Sequence, residues 1–238
     1  MDLSLLFLIS AILVVMYCLI VKIMRRTYQF IHIPKNAGTA FCKSASLQGL
    51  DICCSNNYSN KDWSCNQGAH DKITFFLENR HPNTIYIASI RNPYSRFISA
   101  FSHYKYKSKR YANDIKNKKF DMTQFTDVND FIQKIISKDK NAVKAFRDIL
   151  FHTQTEYICL RNSGIHPQVK YLLRQEYMDE DIKNLCKKTG VCINLTKDEY
   201  EANINTYPSM ELNKTSIEFI NKHYKRDFML LPYEMKNE

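Results

Sequence analysis

YQFIHIPKNAGTA, residues 28–40, is the stretch on which the reading of the fold turns. Tyr28 to Ile33 set aromatic and branched residues in a row, the pattern of a short buried strand. Pro34 ends it, because proline offers no amide to a sheet ladder. Lys35 to Gly38 then form a loop, and Thr39 is placed to cap a helix running to about Leu47. The order is strand, phosphate-type loop, helix. The unpaired N–H groups of a helix start attract an anion. The small residues Ala37 and Gly38 let backbone approach phosphate oxygens, Lys35 brings a mobile point charge, and Thr39 adds a hydroxyl. The Walker pattern G-x-x-x-x-G-K-[ST] is absent. Alone, the segment says little more than strand, turn and helix with an exposed lysine.

A second segment has the same build. Thr84 to Ile90 (TIYIASI) reads as a strand, followed at once by Arg91-Asn92-Pro93-Tyr94-Ser95-Arg96-Phe97-Ile98-Ser99. A helix is expected from Pro93, which suits a first turn, to about Tyr104, with Phe97, Ala100, Phe101 and Tyr104 on its apolar face. Arg91 leaves the strand end and Ser99 lies two turns into the helix. An arginine there can fork onto a phosphate while the serine hydroxyl completes the cradle. Taken singly, an arginine paired with a surface carboxylate explains it as well.

Outward from these two segments, residues 49–69 look irregular, and residues 104–119 (YKYKSKRYANDIKNKK) are basic and aromatic. Helices are expected at 128–138 and 141–151, a strand at Val169–Leu173, a helix at Asp179–Thr189 stopped by Gly190, and a last amphipathic helix at Ser216–Tyr224. Strands alternating with helices imply an α/β fold with a parallel sheet covered on both faces. Ligands in such sheets bind at the carboxyl ends of the strands, where 34–39 and 91–99 both fall.

The chain has 238 residues, 45% hydrophobic and 24% charged, enough for one packed domain and a small appendage. Leu3 to Val21 carries no charge. As a helix it is about 28 Å long, against a hydrocarbon core of about 30 Å. Asp2 near the start, and Tyr17 to Ile20 near any cleavage point, disfavour a removed signal peptide. The expected layout is therefore a transmembrane anchor with its basic flank over 1–24 and a folded domain over 25–238. Lys22, Arg25 and Arg26 would place that domain in the cytosol, whereas the sequons at Asn57, Asn194 and Asn213 suit a lumen. The net charge of +10 favours an anionic partner or membrane surface, or reflects only Lys- and Asn-rich usage. No sequence-specific nucleic-acid module stands out. Of eight cysteines, Cys18 sits in the apolar run. The seven that remain leave at least one thiol free, Cys186 and Cys192 can close a short loop, and no zinc spacing occurs. No metal is expected.

Together, the two anion-type segments resemble the carbohydrate sulfotransferase superfamily, nearest to the membrane-bound group containing heparan sulfate 2-O- and chondroitin sulfotransferases. FIHIPKNAGTAF resembles that family's 5′-phosphosulfate loop. SIRNPYSRFISAF resembles its 3′-phosphate motif, with Arg91 and Ser99 eight apart. YLLRQEYMDEDIKNL and HYKRDFMLLPYE are similar to its later segments, so the resemblance runs from residue 28 to residue 233. It implies the sulfotransferase variant of the P-loop nucleotide-binding sheet and transfer of a sulfuryl group from 3′-phosphoadenosine 5′-phosphosulfate (PAPS), leaving adenosine 3′,5′-bisphosphate.

By that resemblance, Lys35 contacts the phosphosulfate bridge. The amides of Asn36, Ala37, Gly38, Thr39 and Ala40, with the Thr39 hydroxyl, hold the 5′-phosphate, while Arg91 and Ser99 hold the 3′-phosphate. Transfer is in line, with positioning and electrostatics dominant. His70, in Gln67-Gly68-Ala69-His70, takes the role of the general base, with His103 and His166 as alternatives and His32 packed beside the strand; some relatives use a glutamate. The acceptor implied is a carbohydrate hydroxyl, with a protein tyrosine left open. Read from its own residues, the basic and aromatic stretch 104–119 grips an anionic glycan, with Tyr104, Tyr106 and Tyr111 stacking on sugar rings, unless it is a solvated loop. The setting implied is a Golgi-type lumen. Two rival readings remain: another P-loop-like nucleotide-dependent transferase or kinase, and a non-catalytic membrane-tethered polyanion binder.

Overall fold

The computed structural model describes residues 7, 10–17, 27–47, 72, 84–106, 120–160, 163–166, 168–195 and 210–237. Strands β1 (Thr27–Ile31), β2 (Thr84–Ile90) and β3 (Val169–Arg174) form a parallel sheet in the order β1-β2-β3. Parallel neighbours need crossover connections, usually through helices, and the chain supplies them. Helix α1 (Gly38–Leu47) lies between β1 and β2. Between β2 and β3 come α2 (Pro93–Tyr106), α3 (Val128–Ile136), α4 (Lys140–Phe146), a 3-10 turn at Ile149–Phe151, and α5 (Thr155–Ile158). After β3 follow α6 (Met178–Thr189), α7 (Lys214–His223) and α8 (Lys225–Leu230).

Both faces of the sheet are covered, which is why its strands read as unbroken apolar runs. On one face Phe30, Ile87 and Leu173 pack with Phe41 and Cys42 of α1 and Ile182 and Leu185 of α6. On the other, Ile31, Tyr86, Ala88 and Ile90 meet Tyr157 and Ile158 of α5 and Leu231. Val169 and Leu172 share this second face although they stand three apart, where simple alternation would oppose them. An irregularity between Tyr86 and Ile87 pairs Val169 with Tyr86 and Tyr171 with Ile87, skipping Lys170, and the extra residue restores the phase. A separate aromatic core, with Phe97 and Phe101 of α2, Phe131 of α3, Phe151 and Tyr224, packs beneath the helical half.

Local chemistry sets the element ends. Asp127 caps α3 through the amides of Asn129 and Asp130, Asp139 caps α4 through Ala142, and Asn213 caps α7 through Ser216. Gly190 closes α6 at φ 75°, a left-handed position that costs glycine nothing. At the carboxyl end of β3 the Arg174 guanidinium forks onto Asp181 at 2.9 and 2.6 Å, and the Arg174 amide donates to the same carboxylate at 2.7 Å. Burial alone would raise the Asp181 carboxyl; these bonds outweigh it and hold the group below its ordinary 3.8.

Several sequence expectations are revised. Helix α1 begins at Gly38, so Thr39 lies inside its first turn rather than capping it. The helix expected over 141–151 is α4 followed by a 3-10 turn, because Arg147 and Asp148 break the path. Helices α5 and α8, of four and six residues, are too short to leave a period in the sequence. Of the apolar run 3–21, Phe7 and residues 10–17 are described, helical and exposed; the rest lies outside the described residues. Among the described residues no helix is long and apolar enough to cross a membrane. Cys186 and Cys192 form a disulfide across the end of α6, and Cys42 is disulfide-bonded as well. Cys159 is a buried free thiol, and burial pushes its pKa up.

Candidate functional site

Strands β1 and β2 run parallel, so their carboxyl ends deliver two loops to the same edge of the sheet. The loop after β1 makes a tight turn. Lys35 and Ala37 adopt φ of 70° and 60°, while Asn36 between them does not. Left-handed non-glycine residues are rare and cost about 1 kcal/mol or more each. Two in three residues need a surrounding structure that over-determines them. Residues of alternating hand also turn successive amides inward, making a concave nest for an anion. Among the described residues the amides from Asn36 to Ala40 donate to no backbone carbonyl, as a first helical turn requires.

Four side chains hold the turn. Asn36, fully buried, donates to the Ser89 carbonyl at 2.8 Å and to the Gln154 carboxamide oxygen at 2.7 Å. Gln154 in turn accepts from the Arg91 amide at 2.8 Å and donates to the Arg91 carbonyl at 2.7 Å. One buried glutamine thus ties the turn after β1 to the loop after β2. Its own backbone is set by Asp227 of α8, whose carboxylate accepts from the amides of Gln154 and Thr155 and from the Thr155 hydroxyl, each at 2.9 Å. Arg96 of α2, 1% exposed, reaches under the turn and donates to the carbonyls of Pro34 at 3.0 Å and His152 at 2.7 Å. Gly38 is required by packing: a Cβ there would sit 2.2 Å from the ring of His32, which is buried beside the sheet as expected.

The groups able to act on a ligand converge here. The Arg91 guanidinium donates to the Lys35 carbonyl at 3.2 Å and to the Ser95 hydroxyl at 3.3 Å. Lys35 Nζ lies 3.2 Å from His103 Nδ1 near the end of α2. Arg96, Ser99 and His103 stand at i, i+3 and i+7, one face of a helix. Ser99, buried at 2% exposure, lies between Arg96 and His103 on that face. Thr39 is exposed at the mouth of α1. The site therefore gathers three cations, Lys35, Arg91 and Arg96, at one edge of the sheet, an arrangement that suits an anion. Glu176, at the rim, accepts from the Asn92 amide at 2.7 Å and the Tyr233 hydroxyl at 3.0 Å. No group of three or more His, Cys, Asp or Glu able to hold a metal occurs among the described residues.

Other expected participants do not join this site. His166 lies before the amino end of β3, opposite to the strand ends that form the site, and its ring accepts from the Gln168 amide. Tyr104 cannot stack on a sugar: it is 5% exposed, its hydroxyl donates to Asp148, and its ring packs edge-on against Phe120. Tyr106 is exposed. His70, Asn57 and residues 107–119, Tyr111 among them, lie outside the described residues. Asn194 and Asn213 are exposed. Three structural members went unread in the sequence: Arg96, Gln154 and Asp227. Arg96 alone left a signal, since helical spacing puts it three residues before Ser99 on the same face.

A family model described as "Sulfotransferase family" matches residues 6–234. No curated protein and no solved structure matches the chain.

Proposed function

The chain belongs to the sulfotransferase family, and from that premise we propose that it transfers the sulfuryl group of PAPS to a hydroxyl of a carbohydrate acceptor. One observation carries the reading: the left-handed Lys35–Ala37 turn at the end of β1, with the Arg91 guanidinium set against it. A strained turn of inward amides fits a 5′-phosphate, and a second cation from the adjacent strand end fits a nucleotide with another phosphate.

In this reading the amides from Asn36 to Ala40, with the Thr39 hydroxyl, hold the 5′-phosphate. Arg91 exchanges the Lys35 carbonyl for the 3′-phosphate, a charge-assisted and bidentate contact that is stronger than the one it gives up. Ser99 completes that contact from the next turn of α2. Lys35 neutralises charge on the phosphate oxygen that leaves as the S–O bond breaks. A histidine takes the acceptor proton; the resemblance assigns that role to His70. The product is adenosine 3′,5′-bisphosphate, and no metal takes part.

We further place the domain in a Golgi-type lumen, anchored through residues 3–21. The disulfides at Cys186–Cys192 and at Cys42 support an oxidising compartment, against the basic residues that follow the apolar run. The net charge of +10 suits an anionic glycan.

The full chain, incubated with sulfur-labelled PAPS and a panel of desulfated heparin, chondroitin and a tyrosine peptide, is expected to label a polysaccharide. Label on the peptide alone would overturn the carbohydrate assignment. No label on any member, together with no binding of the donor, would overturn the reading as a whole.

A further inference from the structure

We infer that Glu176 is a positioning residue for the 3′-phosphate, and that Tyr233, on the segment that follows α8, holds Glu176 to that task. This rests on the PAPS reading above and deepens it. Two residues outside the anion turn are assigned to the choice between a doubly and a singly phosphorylated nucleotide.

The backbone around Arg91 is held by side chains. The Arg91 N–H and C=O both go to Gln154. The next amide, that of Asn92, donates to Glu176 Oε1 at 2.7 Å. Three consecutive polar groups are thus fixed just past the end of β2. Asn92 is also where α2 starts. Its side-chain oxygen accepts from the Tyr94 amide at 3.0 Å, and its carbonyl accepts from the Arg96 amide at 2.9 Å, the pattern of an N-cap. Moving the Asn92 peptide would therefore turn Arg91 on one side and α2, with Ser99, on the other.

Glu176 lies in a 3-10 turn, Gln175–Tyr177, at the carboxyl end of β3. Its second oxygen, Oε2, accepts from the Tyr233 hydroxyl at 3.0 Å. Burial and the facing Glu176 carboxylate push the Tyr233 pKa far up, so the hydroxyl stays a donor. The chain on either side keeps Tyr233 in place. Its amide donates to the Leu231 carbonyl at 2.8 Å, closing a three-residue turn. Further on, the Lys236 amide donates to the Tyr94 hydroxyl at 2.7 Å, and the Lys236 carbonyl accepts from Asn221 of α7 at 3.1 Å. The Tyr94 hydroxyl donates in turn to Asn221. Residues 231–236 therefore clasp the first turn of α2 and reach the end of β3 through Tyr233. By charge alone, a carboxylate beside a phosphate site works against the anion. The contribution of Glu176 is therefore directional: both oxygens are committed to donors at fixed positions, and the Arg91–Asn92 backbone is aimed by them.

Calorimetric affinities of the full chain for adenosine 3′,5′-bisphosphate and for AMP read the effect as a ratio. Glu176→Ala should cut the wild-type preference for the bisphosphate by about fivefold, the worth of one hydrogen bond, with AMP affinity within about twofold of wild type. Tyr233→Phe keeps the ring and removes only the hydroxyl, and should cut the preference by about threefold. Glu176→Gln keeps an acceptor for the Asn92 amide and should hold the preference within about twofold. The proposal is overturned if Glu176→Ala or Tyr233→Phe keeps the wild-type ratio, or if either weakens both nucleotides equally, as a merely structural brace would. It is overturned as well if Glu176→Gln loses as much as Glu176→Ala. Should Glu176→Ala not fold, Tyr233→Phe decides alone. A wild-type chain with no preference for the bisphosphate overturns the PAPS reading, and this inference with it, a result distinct from any of the variant outcomes.

Discussion

Lys35→Met is expected to slow sulfuryl transfer by roughly 100- to 1000-fold, the usual cost of removing one preorganised group aimed at developing charge. Methionine keeps the stem and much of its packing but not the ammonium. The left-handed backbone at 35 is held by Asn36, Gln154 and Arg96 rather than by the lysine side chain. The turn should therefore survive, and adenosine 3′,5′-bisphosphate should bind within about tenfold of wild type, the worth of one screened phosphate contact of about 1 kcal/mol. Rate and affinity thus separate in this variant. Comparing label transfer with calorimetric affinity on the same preparation checks it. An equal loss in both would mean that Lys35 serves ground-state binding alone.

Asp227→Ala should be among the most destabilising single changes in the molecule. The carboxylate is fully buried and accepts three hydrogen bonds. Truncation strands two amides and a hydroxyl, at about 1–3 kcal/mol for each unsatisfied group. A loss of about 3–5 kcal/mol lowers the melting temperature by on the order of 10 °C for a chain of this size. The consequence reaches function, because Gln154 loses the acceptor that fixes its backbone, and Gln154 is the link between Asn36 and Arg91. Bisphosphate affinity should fall together with stability, although Asp227 touches neither loop. Thermal unfolding and calorimetry on one sample measure both. A variant within about 1 kcal/mol of wild type would show that the site is braced some other way.

The sheet was legible because its signals are local. Phe30-Ile31 and Ile87-Ala88 sit in continuous apolar runs, as strands covered on both faces do, and Gly190 marks the end of α6 at a left-handed turn. The sulfotransferase likeness was legible for the same reason: both motifs are contiguous stretches at strand ends. What was not legible is non-local or atypical. Gln154 meets the turn across 118 residues of sequence and Asp227 meets Gln154 across 73, and no periodicity encodes such contacts. Left-handed Lys35 and Ala37 defy propensity, which predicts glycine or asparagine there. Two incompatible roles are open to Tyr104 in the sequence. Its helical spacing with Phe97, Ala100 and Phe101 placed it in the core, while its basic neighbours suggested a sugar platform. Burial decided between them, since a ring already packed in the core has no face left for a ligand. The Lys35–His103 contact joins residues 68 apart and was visible only in the fold.

All of these roles depend on one nucleotide with phosphates at both ends being the ligand of the turn and Arg91 together. The direct test is the affinity of the full chain for adenosine 3′,5′-bisphosphate and for AMP, which differ only in the 3′-phosphate, with wild type and Arg91→Ala measured side by side. The account predicts that wild type prefers the bisphosphate by at least about tenfold, the worth of one charge-assisted contact, and that Arg91→Ala erases the preference while leaving AMP binding unchanged. Equal affinity of wild type for the two nucleotides, or a preference that survives in Arg91→Ala, would contradict it.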